Sequence, residues 1–148
     1  AVIANTNALN TVAASSVAMN AVAASSVAMS AVANSSVALS AMYGSYTICE
    51  KAFQSNVNVC MNAFNASKFK ATGTASDGWK YIYNGRALIL SHSTPYIGDE
   101  TYAGSGSYLS EPHRVNKLNY TNVMRFANKV EGFFIDNSYL TTVVYLKI

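Results

Sequence analysis

The side chains with the most chemical capacity are gathered in one stretch. His92, Tyr96, Asp99, Glu100, Tyr102, Tyr108, Glu111, His113 and Arg114 all lie between positions 92 and 114, among clusters of Gly, Ser and Pro. Phenol rings stack on the apolar faces of sugars, and small polar groups supply hydrogen bonds, so this mixture suits recognition of a carbohydrate or a protein surface. Asp99, Glu100 and Glu111 also offer carboxylates of the kind that hydrolyse glycosidic bonds in pairs. Their spacing does not set a distance between them, and the part of the chain that holds them is small for a long substrate cleft. The sequence contains no GxSxG, P-loop or HExxH pattern. It is therefore read as non-catalytic. Cys49 and Cys60 would stand about 16 Å apart on a helix, too far for a disulfide. His92 and His113 are remote from them in sequence. No metal or other cofactor is expected, and the two thiols are read as buried and free.

The elements that position these residues differ along the chain. It has 148 residues, ten Lys/Arg and seven Asp/Glu, for a formal net charge of +3. None of the charged residues precedes Glu50, and residues 1–49 are almost wholly Ala, Ser, Asn, Val and Met. Every charge, every Phe, the single Trp and nearly all the Tyr follow. A uniform core made from the whole chain is not expected. The charge is scattered, with Lys68 and Lys70 the nearest thing to a cluster, whereas a nucleic-acid surface needs a positive stripe. No nucleic-acid partner is expected. The first 49 residues have neither a basic n-region nor an unbroken apolar run, so a signal peptide and a membrane span are not expected. A chain that starts at Ala1 without Met reads as a processed form or a piece of something longer.

Residues 12–21, 22–31 and 32–41 read VAASSVAMNA, VAASSVAMSA and VANSSVALSA, a ten-residue repeat with Val at every fifth position. Repeats of this kind build units that contact their neighbours rather than a common core. Two backbones fit. On a continuous helix, Leu9, Val12, Ser16, Met19, Val22, Ser26, Met29, Val32, Ser36, Leu39 and Met42 form one stripe at spacings of three and four, with a period short enough to drive left-handed supercoiling. Val17, Val27 and Val37 then lie on the opposite side among Ala residues. A β-solenoid with Val at its corners also preserves the pattern. Propensity favours the helix: Ala is the strongest helix former, and the tract has no Gly or Pro before Gly44 to turn β corners. A lone helix of this composition is marginal in water, so it needs partners.

Residues 46–67 continue the pattern with bulkier side chains, and Gly44 marks a potential break. ATGTASDG at 71–78 is a connector. Asn84-Gly85, between GWKYIY and RALIL, predicts a β-hairpin. Trp79, Tyr81 and Tyr83 are read as core or interface residues, with a binding platform as the alternative. Residues 93–112 read as a long loop, 123–130 as a short strand or helix, and 139–148 as a long final strand. The β-rich part is small for a self-sufficient core, which again points to association.

Tandem SSVAM-x-AVA units leading into a small β domain resemble the distal C-terminal part of bacteriophage tail fibres and related receptor-binding tail proteins. The residues that carry the resemblance are SSVAM at 15–19 and 25–29, SSVAL at 35–39, DGWKYIYNGRALIL at 77–90 and VVYLKI at 143–148. The resemblance implies an elongated homotrimer with a fibrous shaft and a C-terminal head, and leaves open whether the shaft is helical or β-structured. Joined to the helix that propensity favours, it gives the expectation of an N-terminal Ala/Ser/Val-rich α-helical, coiled-coil-like stalk over 1–70 and a small antiparallel β tip over 71–148. The trimer core would comprise Leu9, Val12, Met19, Val22, Met29, Val32, Leu39, Phe53, Val57, Cys60 and Phe64. A fibre of this kind belongs to the virion, is assembled in the host cytoplasm and is not membrane-embedded. Its tip would bind a bacterial cell-surface polysaccharide or outer-membrane protein through the residues between His92 and Arg114. The chief rival is a structural trimerisation or fibre-joint module. A fragment of a bacterial trimeric adhesin is a second.

Overall fold

Serine decides where the helices start. The computed structural model describes residues 5–75, 80–92, 122–132 and 141–148. Its first part consists of six short helices, α1 (Thr6–Ala13), α2 (Ser16–Ala24), α3 (Ser26–Ala33), α4 (Ser36–Gly44), α5 (Tyr46–Ser55) and α6 (Val57–Asn65). Asn5, Ser15, Ser25 and Ser35 precede the first four in extended backbone. The side-chain oxygen of each accepts the backbone N–H three residues on, from Ala8, Ala18, Ala28 and Ala38 at 3.1–3.3 Å. Each cap satisfies one of the donors that a helix start leaves open, and its extended backbone ends the preceding helix. The chain turns through 99° between α2 and α3.

Turns of this kind bring the chain back over itself after three helices. α4 packs on α1, α5 on α2 and α6 on α3, so the six helices form two stacked layers. Each helix points an i, i+4 pair inward. In the first layer the pairs are Leu9/Ala13, Met19/Ala23 and Met29/Ala33, all buried. In the second they are Leu39/Tyr43, Cys49/Phe53 and Cys60/Phe64, also buried. The large member comes first in one layer and, in α5 and α6, last in the other. Phe53 and Phe64 meet edge to face at 5.1 Å, the arrangement ring quadrupoles favour.

This corrects the expectation of a coiled-coil stalk and a trimer held by its stripe. The helices are 8 to 10 residues long and form a compact bundle within one chain. Leu9, Met19, Met29, Val32, Leu39, Phe53, Cys60 and Phe64 are buried by that chain's own helices, while Val12, Val22 and Val57 are half-buried and Ser16, Ser26 and Ser36 exposed. The physical reason lies in the cap: a Ser that accepts an N–H three residues on holds its own backbone out of the helix every tenth residue, so no long stripe forms.

The second compact unit spans 71–147. Six strands are described, β1 (Lys70–Ala75), β2 (Lys80–Tyr83), β3 (Ala87–His92), β4 (Arg125–Ala127), β5 (Val130–Gly132) and β6 (Thr141–Lys147). One sheet has the order β1-β6-β3-β4 and the other pairs β2 with β5. β3 is antiparallel to both β6 and β4, with Leu88 opposite Leu146 and Phe126. Ala87, Ile89, Val143 and Tyr145 form one core with Val123, Ala127 and Val130, against which Ala71, Ile82 and Tyr83 pack. Leu88, Phe126 and Leu146, on the alternate positions, are also buried. The Asn84-Gly85 hairpin does not form: β2 and β3 go to different sheets, so the dipeptide turns the chain between sheets rather than within one. β5 competes successfully for β2 because Val130, Ile82 and Tyr83 then bury against the core of the larger sheet.

Candidate functional site

The long connection that holds the candidate recognition residues leaves β3 and returns at β4, and its two ends are tied together. β3 and β4 are neighbours, with Ile89 opposite Arg125. The register of β3 against β6 slips between Ile89 and Ser91. Leu90 is the residue at that slip, and its carbonyl accepts the Val123 N–H at 2.8 Å. Val123 is flanked by Asn122 and Met124, both in the left-handed region with φ of 61° and 42°. That conformation is uncommon for a long side chain such as Met, yet Met124 is fully buried. A β-bulge with strained backbone beside it re-aims the chain where a connection departs.

Tyr96, Asp99, Glu100, Tyr102, Tyr108, Glu111, His113 and Arg114 lie outside the described residues. His92 is described and buried at 3% exposure, opposite Val143 at the end of β3. It sits inside the sheet. Trp79 also lies outside the described residues; for Tyr81 the backbone pairing with Glu131 is seen.

An aromatic pair stands on two other strands of the β unit, β2 and β6. Tyr83 stacks on Tyr145 at 5.4 Å with an interplanar angle of 27°. The Lys147 ammonium lies 5.5 Å from the Tyr83 ring centroid. Tyr145 is buried and Tyr83 half-buried, so the stack leaves one ring partly open beside a cation. Burial, and secondarily the Tyr83 phenol, raise the Tyr145 pKa, so Tyr145 is a neutral phenol at ordinary pH. A half-open ring with an ammonium beside it has the chemistry to meet a sugar face or an anionic group. Sequence reading singled out Tyr83 and missed Tyr145 and Lys147. Their alternation in TTVVYLK places them on one side of β6, and only the pairing of β2 and β6 with other strands brings them to Tyr83.

In the helical unit the two thiols are buried and spent on packing. Cys49 and Cys60 are free and buried, and burial pushes both thiols up to about 12, with Glu50 adding to the effect at Cys49. The Cys49 Sγ donates to the Ala13 carbonyl at 3.8 Å and the Cys60 Sγ to the Ala23 carbonyl at 3.7 Å. Ser67 Oγ donates to the Ala33 carbonyl and accepts the Phe69 N–H. The second layer thus supplies acceptor-satisfying groups to the C-terminal turns of α1, α2 and α3. An open groove of about 310 Å³ between α1 and α4 is lined by Thr6, Asn10, Ser36, Val37, Ser40 and Ala41, none of them ionisable. Among the described residues, no three His, Cys, Asp or Glu are grouped for a metal, and no single helix is long and apolar enough to cross a membrane. No family model, curated protein or solved structure matches the chain.

Proposed function

We propose that the protein is a non-catalytic attachment protein whose β unit meets a bacterial cell-surface polysaccharide or outer-membrane protein, the role implied by its resemblance to phage receptor-binding tail proteins. The observation that supports this reading is the tie between Leu90 and Val123. It gathers the ends of one long connection on adjacent strands, and that connection holds Tyr96, Tyr102, Tyr108, Asp99, Glu100, Glu111, His113 and Arg114. Recognition residues on a long connection anchored by a packed sheet are a common arrangement for binding. Half-buried Tyr83, backed by buried Tyr145, and exposed Lys147 add an aromatic and a cationic group of the same chemical kind. The capped helical repeat is a separately packed unit whose inward Leu, Met, Cys and Phe positions are buried in its own packing.

Binding to a panel of whole bacterial cells and purified surface polysaccharides tests the reading. Saturable binding is expected, weakened by Tyr102→Ala and Tyr108→Ala with the far-UV spectrum unchanged. A folded protein that binds no surface, or whose binding is indifferent to both substitutions, rejects it in favour of a structural joint.

A further inference from the structure

Asn84-Gly85 does not fill the hairpin role that its sequence signals, and its surroundings suit it to a reaction instead. In a two-residue hairpin the dipeptide would be held by one ladder closing on both sides of it. Here β2 ends at Tyr83 in a pairing with β5, and β3 begins at Ala87 in pairings with β4 and β6. Asn84 is exposed on the bend between them, and it is the one Asn in the chain that precedes a Gly. Asn34, which precedes the small Ser35, makes a contrast. Its Nδ2 donates to the Ser30 carbonyl and its Oδ1 accepts the Lys68 N–H, both at 3.0 Å. Gly85 is fixed as glycine by packing. A Cβ built there would stand 2.8 Å from the Cζ and Oη of Tyr83, and the Tyr83 ring is held in its stack on Tyr145.

We propose that Asn84 is a site of spontaneous deamidation in the folded protein, by way of a succinimide formed with Gly85. Hydroxide takes the proton of the Gly85 backbone nitrogen, which then attacks the Asn84 Cγ. An N–Cγ bond forms, the Cγ–Nδ2 bond breaks, and Nδ2 takes a proton from water and leaves as ammonia, regenerating hydroxide. A second water opens the ring at either carbonyl, giving aspartate or isoaspartate. The attack needs a nitrogen unobstructed by a side chain on its own residue, which glycine supplies. It also needs backbone that can turn that nitrogen toward the preceding side chain. The separation of the sheets supplies this, because residues 84–86 lie in neither strand and their rotation breaks no strand pair. Local opening at such a place costs little. Either product puts a carboxylate beside Tyr83, whose ring centroid lies 5.5 Å from the Lys147 ammonium. Isoaspartate also lengthens the main chain by one methylene in the connection between the sheets.

The test is peptide mapping with isoaspartate detection on the full chain, aged at pH 7 and pH 9 in native buffer and in parallel in urea. Hydroxylamine, which cuts the chain at a succinimide, reports the intermediate. Exchange of amide for acid at Asn84 and scission after it are expected in the native protein, faster at pH 9, at a rate within about tenfold of that of the unfolded chain. Asn34 is expected to stay unmodified until the chain is unfolded. Asn84→Gln, at an exposed position, is expected to abolish the scission with the far-UV spectrum kept. Native protein that remains intact at Asn84 overturns the proposal, whether or not the unfolded chain reacts there. So does native modification that reaches Asn34 as fast as Asn84, or scission that persists in Asn84→Gln.

Discussion

The thiol of Cys60 reaches the carbonyl oxygen of Ala23 at 3.7 Å across 37 residues of sequence. Cys49 makes the matching contact to Ala13. These two cysteines thus do for the lower layer what a helix-capping group does for a free end, and they do so as protonated thiols. A thiolate could not donate. Burial raises both to about 12 from an ordinary 9.0, so the folded state holds its protons while the unfolded state begins to release them near pH 9.

The resulting pH dependence has a definite sign. Where the native state binds more protons than the unfolded state, stability falls as pH rises. The contribution is fully present below about pH 9 and is lost between about pH 9 and 12, at no more than about 1.4 kcal/mol per pH unit for each thiol. Urea denaturation at pH 8, 9 and 10 is expected to show a declining midpoint, flattened in a Cys49→Ala/Cys60→Ala variant. Native protein is expected to resist a thiol reagent at pH 8 and to titrate both thiols once unfolded.

The caps divide the repeat serines into two functional kinds. Ser25 accepts the Ala28 N–H at 3.2 Å from extended backbone, whereas Ser26 is the first helical residue and exposed. Ser25→Ala is expected to cost about 1 kcal/mol and Ser26→Ala close to nothing. Ser15 and Ser35 are expected to behave as Ser25 does. On a continuous helix all these changes would be neutral or stabilising, since Ala is the better helix former. Thermal or urea denaturation of the single variants separates the two cases.

Much of this was legible and some was not, for identifiable reasons. The Ala-rich repeat specifies helices, and the inward Leu/Met positions follow from its phase. The break every ten residues was also present in the text, because Ser15, Ser25 and Ser35 stand where N-caps stand. Periodicity drew attention instead to the following Ser16, Ser26 and Ser36, which extend a stripe of threes and fours. Two serines in a row hide which one caps. In the β unit, the final strand β6 was readable from VVYLK, but Asn84-Gly85 signals only a local turn. Whether the strands on either side then pair depends on distant competitors, and here β5 and β6 supply them. Of the recognition candidates, His92 falls in a strand and is buried, a fate set by register rather than by residue type.

Gly73 reports on the closeness of the two sheets. A Cβ built there would lie 2.0 Å from the Ile82 Cγ2 and 3.7 Å from the Tyr145 Cε1. Ile82 belongs to β2 and Tyr145 to β6, so Gly73 on β1 marks a place where backbone from one sheet meets a side chain from the other. The struck atom is the Cγ2 of a β-branched side chain whose Cβ is itself 3.4 Å away, so relief requires Ile82 to rotate about its stiff Cα–Cβ bond or the strands to shift. Overpacking of this kind typically costs about 1–3 kcal/mol. Gly73→Ala is therefore expected to lower stability by about that amount, and by less in an Ile82→Ala background, because Ala lacks the Cγ2 methyl that the new Cβ strikes. A double-mutant cycle on the two positions measures the coupling, which neighbours in contact show at about 0.5–3 kcal/mol. Additive effects within about 0.3 kcal/mol would mean the two residues are not in contact, and would argue against the packing of β2 over the larger sheet.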